Sequence, residues 1–180
     1  MDYKQIPNIF SFLRIILSLI FGYYFNILLN YNQDIILTFM VFVLILFTDF
    51  IDGYIARKTS NSTNVGVFLD VSADLFYVLI SYTILTLNNL IHPLFVLLLV
   101  FKFVEFIYTS RKIGTQNNNK LVFDTLGKNM SKVWMLFPGI VCILCSLQVD
   151  NLSLIINVFA FVTMLLALVS TGTRLINSRK

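Results

Sequence analysis

Six apolar stretches constrain this chain more than any other feature, each near the ~20 residues that a helix needs to cross a bilayer. They run over residues 9–29, 35–55, 68–87, 90–109, 131–147 and 152–171. In hydrocarbon, backbone N–H and C=O groups must bond within their own segment, so stretches of this length are expected to be helices. Of the 180 residues, 58% are hydrophobic and 12% charged, too little charge to cover a soluble domain of this size. The connections are short. The expected fold is therefore all-α, an integral membrane bundle of six transmembrane helices forming one domain over residues 1–180. Lys4 ahead of the first run resembles a signal-peptide start, but Arg14 interrupts the run and no small-residue cleavage site follows. That stretch is read as retained.

Charge placement orients the bundle. Lysines and arginines fall at the amino terminus, in or beside the second and fourth loops, and at the carboxyl terminus. The first, third and fifth loops, around 30–34, 88–93 and 148–151, have none. By the positive-inside rule both termini and the even loops are expected in the cytoplasm, in a multi-pass protein of the cell membrane. The net charge of +4 suits an anionic leaflet and anionic substrates.

Against this apolar background, residues 49–74 carry four aspartates. Asp49 and Asp52 are three apart and Asp70 and Asp74 four apart, so each pair shares a helix face. Asp49, Asp52, Gly53 and Ala56 span an arc of about 100°, and Gly66, Asp70 and Asp74 about 80°. The polar turn between them is short, which predicts antiparallel neighbouring helices with the two acid pairs facing each other at one depth. Insertion of an acid at mid-helix costs about 2.5–3.5 kcal/mol, so four together imply a function and a compensating cation. A site of carboxylates without His or Cys selects hard cations, Mg²⁺ or Mn²⁺. Four aspartates have the capacity for two such ions, an arrangement suited to in-line displacement at phosphorus.

The spacing D-x-x-D-G-x-x-A-R, eight residues, then G-x-x-x-D-x-x-x-D resembles the signature of the CDP-alcohol phosphatidyltransferases. Asp49, Asp52, Gly53, Ala56, Arg57, Gly66, Asp70 and Asp74 match its fixed positions. The resemblance implies transfer of the phosphatidyl group of CDP-diacylglycerol to the hydroxyl of a small alcohol, with release of CMP, and a homodimeric assembly. It also implies metal ligation by the four aspartates, Asp74 as general base, and a cytidine nucleotide site lined by Gly53, Ala56 and Gly66. Arg57 stands beside that site with two readings open, a phosphate contact or snorkelling at the helix end.

The acceptor is addressed by weaker signals. The start I-P-N-x-x-S-x-x-R, ending at Ser11 and Arg14, resembles bacterial phosphatidylglycerophosphate synthases. So do Gly127, Lys128 and Ser131, although Met130 replaces the second lysine of their G-K-x-K-T segment and Lys132 comes one residue late. Arg14, Arg111, Lys128 and Ser131 are thus candidates for binding an acceptor phosphate. For Arg14, snorkelling to the interface is the alternative. Arg111, Lys112, Lys120, Lys128 and Lys132 concentrate positive charge in and beside one loop. That favours sn-glycerol 3-phosphate, with inositol phosphate as the nearest rival.

Other features carry less. Lys102 and Glu105, three apart, are expected to pair on the bundle side. Cys142 and Cys145 form C-x-x-C inside an apolar span and read as small core residues. Trp134 and the tyrosines near span ends fit an interfacial aromatic belt, and helices one and six read as scaffold. A cation transporter would also place acids in helices, but it would not require Gly and Ala at these spacings. A catalytically dead relative is expected to have lost an aspartate, and none is lost.

Overall fold

The computed structural model describes residues 6–59, 64–114 and 125–177, with side chains described for 9–55, 66, 68–109 and 129–172. Within these limits the chain forms α1 (Ile6–Tyr31), α2 (Ile35–Thr59), α3 (Asn64–Leu87), α4 (Leu94–Gly114), α5 (Thr125–Ser146) and α6 (Leu152–Asn177). There is no strand among the described residues. Among the described residues, α1, α2, α3, α5 and α6 hold segments long and apolar enough to cross a membrane. The fourth forms where expected and carries Lys102 and Glu105 within its apolar run. The chain is a multi-pass membrane protein.

Three turns rely on residues that tolerate the left-handed backbone. Asn32, Asp34, Asn89, Gln148 and Asn151 have φ between 48° and 62°, a region that short polar side chains visit more readily than most. After α3, Leu90 N–H reaches Leu85 C=O at 2.9 Å, and after α5, Val149 N–H reaches Leu144 C=O at 3.3 Å. Each is the six-to-one closure that follows a left-handed residue at a helix end.

The packing order departs from the sequence expectation. Among the described residues the backbones of α2 and α3 do not approach each other closely: α1 packs along both, and the two helices meet through their aspartate side chains. Helix α5 touches α1, α2, α3 and α6, while α4 sits against α3 and α6. Helix α1 is therefore the element that joins α2 to α3, more than scaffold. Close approach is permitted by Gly22, where a Cβ would come within 2.6 Å of Ile80 Cγ2.

Aromatic residues fill the interior. Phe21 stacks on Phe25 with centroids 5.0 Å apart and meets the edge of Tyr77 at 5.3 Å. Trp134 belongs to this core: it is buried and lies edge-on to Phe95 at 6.4 Å, so it is not part of an interfacial belt. Its neighbours Tyr82 of α3 and Phe95 of α4 hold it inside the bundle. Pro138 lies inside α5 and has no N–H to give the carbonyl four residues earlier. That carbonyl, of Trp134, instead accepts from Tyr82 Oη at 3.4 Å. Cys142 is buried and Cys145 half-buried, both unpaired, in keeping with core positions.

Lys102 and Glu105 pair as expected, Nζ to Oε2 at 2.6 Å. The structure adds Thr171 of α6, whose hydroxyl accepts from Lys102 at 2.8 Å and donates to Glu105 at 3.1 Å. This polar junction ties α4 to α6.

Candidate active site

The site grows out of one face of α1. Ser11, Arg14 and Ser18 recur at three and four residues in an otherwise apolar helix, and all three are buried. Such spacing lines them along one stripe. Ser18 Oγ donates to the Arg14 carbonyl at 2.7 Å, which satisfies its hydroxyl within the helix and leaves the stripe free to face α2 and α3.

Arg14 meets all four aspartates. Its Nη1 donates to Asp70 Oδ1 at 2.8 Å and to Asp74 Oδ1 at 2.5 Å. Its Nη2 lies 3.4 Å from Asp49 Oδ1 and 3.8 Å from Asp52 Oδ2. The side chain is 0% exposed. Arg14 does not snorkel to the interface: it points into the bundle, because a lone guanidinium at this depth is held far better by carboxylates than by lipid. The acid pairs do converge, and the α1 arginine lies against both.

Helix α3 begins at Asn64, a few residues before the apolar stretch at 68–87, so Asp70 and Asp74 stand on its second and third turns. Asp49 and Asp52 come from the second half of α2. The four carboxylates differ in access. Asp49 is 41% exposed, Asp70 and Asp74 are partly open, and Asp52 is 4% exposed. Asp52 accepts from Ser11 Oγ at 3.4 Å.

One carboxylate oxygen each from Asp49, Asp70 and Asp74 can be chosen so that all lie within 4.8 Å of one another. Opposed oxygens around Mg²⁺ at its usual bond length are about 4.2 Å apart, so small side-chain rotations would close the trio on one ion. Three hard oxygen donors from two helices fit such a cation. Asp52 stands beside this trio rather than in it.

Of the other candidates, Gly53 is half-buried directly after Asp52, and Gly66 is half-buried on the first turn of α3. Ser131 is exposed on α5 and makes no hydrogen bond with the aspartates among the described residues. The side chains of Ala56, Arg57, Arg111, Lys112 and Lys128 lie outside the described residues, as does Lys120. The contact of Ser11 with Asp52 was not anticipated from the sequence. The signal for it was present in the three-four spacing of Ser11, Arg14 and Ser18.

The pattern described as CDP-alcohol phosphatidyltransferase matches residues 4–173. A CDP-diacylglycerol–glycerol-3-phosphate 3-phosphatidyltransferase of Aquifex aeolicus is 32% identical over 174 residues, covering 92% of this chain and 91% of the relative. A protein of the same description from Pseudomonas fluorescens is 39% identical over 81 residues, covering 45% of this chain and 40% of the relative.

Proposed function

Because the chain belongs to the CDP-alcohol phosphatidyltransferase family, we propose that it transfers the phosphatidyl group of CDP-diacylglycerol to sn-glycerol 3-phosphate, making phosphatidylglycerophosphate for phospholipid synthesis. The observation that carries this reading is the convergence of Asp49, Asp70 and Asp74, from two different helices, within 4.8 Å. The two relatives described above supply the acceptor by their descriptions.

In this reading a hydroxyl oxygen of the acceptor forms a new bond to the phosphorus that carries the diacylglycerol. The bond from that phosphorus to the oxygen bridging to CMP breaks, and CMP leaves with the bridging oxygen. Asp74 takes the hydroxyl proton as general base. Asp49, Asp70 and Asp74, with Asp52 alongside, hold Mg²⁺ or Mn²⁺, two ions in all. Bound there, the cations supply charge neutralisation for the pyrophosphate and for the leaving phosphate. Gly53, Ala56 and Gly66 leave room for the cytidine nucleotide, and Arg57 contacts its phosphate. Arg14, Arg111, Lys128 and Ser131 bind the acceptor phosphate through charge-assisted hydrogen bonds.

The aspartates lie in the halves of α2 and α3 that adjoin their connecting segment, a placement that suits a lipid whose head group is in water while its acyl chains stay in the bilayer. The basic residues beside the second and fourth loops support a site that faces the cytoplasm. A homodimer is the assembly that family resemblance supports.

The test is CMP release from CDP-diacylglycerol by purified protein in mixed micelles with a divalent cation and competing acceptors at equal concentration. Formation of phosphatidylglycerophosphate is expected. Transfer to serine, inositol or inositol phosphate in preference to glycerol 3-phosphate would remove the acceptor assignment, and no CMP release with any acceptor would remove the enzyme.

A further inference from the structure

Arg14 touches the same carboxylates that can surround a cation. Its Nη1 is 2.8 Å from Asp70 Oδ1 and 2.5 Å from Asp74 Oδ1, and Nη2 is 3.4 Å from Asp49 Oδ1. Those three residues are the ones whose carboxylate oxygens gather within 4.8 Å. A divalent ion bonded to them at roughly 2.0–2.6 Å would share its ligands, at close range, with a guanidinium that cannot lose its charge. Like charges held at that range repel, so each cation weakens the other's hold on the Asp70–Asp74 side.

The guanidinium is also incompletely satisfied where it is. Arg14 Nε and Nη2 are buried without a hydrogen-bond partner, and only Nη1 makes short bonds. A buried donor left unpaired is costly. A phosphate can take two parallel N–H bonds from one guanidinium, an arrangement that the carboxylates here do not offer Arg14. The side chain thus has a position among the acids that suits the metal-free protein and a better partner once an anionic substrate arrives.

We propose that Arg14 is a built-in counter-cation of the aspartate cluster, which competes with divalent metal for Asp70 and Asp74 and is released toward substrate phosphate when metal loads. The proposal rests on the function assigned above. It makes metal loading and anion binding mutually reinforcing: metal frees the arginine, and an anion that captures the arginine opens the carboxylates to metal. Ordered site assembly of this kind is a coupling between two ligands and is reciprocal. It also offsets part of the negative charge of the acids and keeps α1 docked when metal is scarce.

The experiment uses the purified protein with Mn²⁺ alone, free ion being read by electron paramagnetic resonance. Replacement Arg14→Gln should tighten Mn²⁺ binding by roughly tenfold. It should also lower the melting temperature of the metal-free protein and enlarge the rise in melting temperature that Mn²⁺ produces. Unchanged or weaker Mn²⁺ binding in the variant overturns the proposal. If Arg14→Gln does not fold, the wild-type protein decides: labelling of Arg14 by phenylglyoxal, read by mass spectrometry, should rise when Mn²⁺ is added. Equal labelling with and without Mn²⁺ overturns it. Wild-type CMP release is assayed alongside. Its absence with every cation defeats the assigned function, whereas release accompanied by unchanged Mn²⁺ affinity in Arg14→Gln defeats this inference only.

Discussion

Arg14 Nη1 donates to Asp74 Oδ1 at 2.5 Å across sixty residues of sequence, and this bond links α1 to the aspartate assigned as general base. Asp74→Asn keeps the size and a hydrogen-bonding group but removes the proton acceptor. Turnover should fall at least about a hundredfold, the lower end of what a general base contributes, while some CDP-diacylglycerol binding remains. Near-normal rates of phosphatidyl transfer in Asp74→Asn would exclude it as the base.

Metal dependence follows from the donor set. Asp49, Asp70 and Asp74 present only carboxylate oxygens, which hold Mg²⁺ or Mn²⁺ in preference to soft ions. Activity should vanish in EDTA and return on adding either ion. Asp49→Asn and Asp70→Asn should lose metal binding and CDP-diacylglycerol binding together. Full turnover in chelator, with elemental analysis showing no bound metal, would contradict the assignment.

The acceptor site is tested by splitting the two substrates. Arg111→Ala and Lys128→Ala should each raise KM for glycerol 3-phosphate roughly tenfold, as for loss of one charge-assisted hydrogen bond. The KM for CDP-diacylglycerol should change far less. If both constants rise equally, or neither moves, these residues serve membrane orientation alone.

A stability prediction comes from the junction of α4 and α6. Lys102 is bonded to Glu105 at 2.6 Å and to Thr171 at 2.8 Å, and Glu105 is buried. Lys102→Met leaves that carboxylate without its charge partner, a loss of about 3–5 kcal/mol. The double change Lys102→Met with Glu105→Gln removes both charges and should recover most of it. Unfolding of the three proteins in detergent measures the effect. Equal stability of Lys102→Met and wild type would show that the pair contributes nothing.

The sequence alone determined the helices, the acid pairs and the family, because each rests on local rules. A run of apolar residues must be a helix if it is to cross hydrocarbon. Asp49 with Asp52, and Asp70 with Asp74, share a face because the helical period is fixed by the backbone. The pairing of Lys102 with Glu105 was legible for the same reason. What only the tertiary structure decided is which helix lies between which. The short connection suggested that α2 and α3 pack together, yet α1 packs along both, since chain proximity limits distance without setting packing order. From that order follow the burial of Arg14 among four carboxylates, the bond from Ser11 to Asp52, the core position of Trp134 and the third partner, Thr171, of the charged pair. An arginine in an apolar run has two ways to keep its charge satisfied, the interface or an acid on another helix. Nothing within its own helix selects between them. The choice was made by the carboxylates that α2 and α3 bring to the inner face of α1.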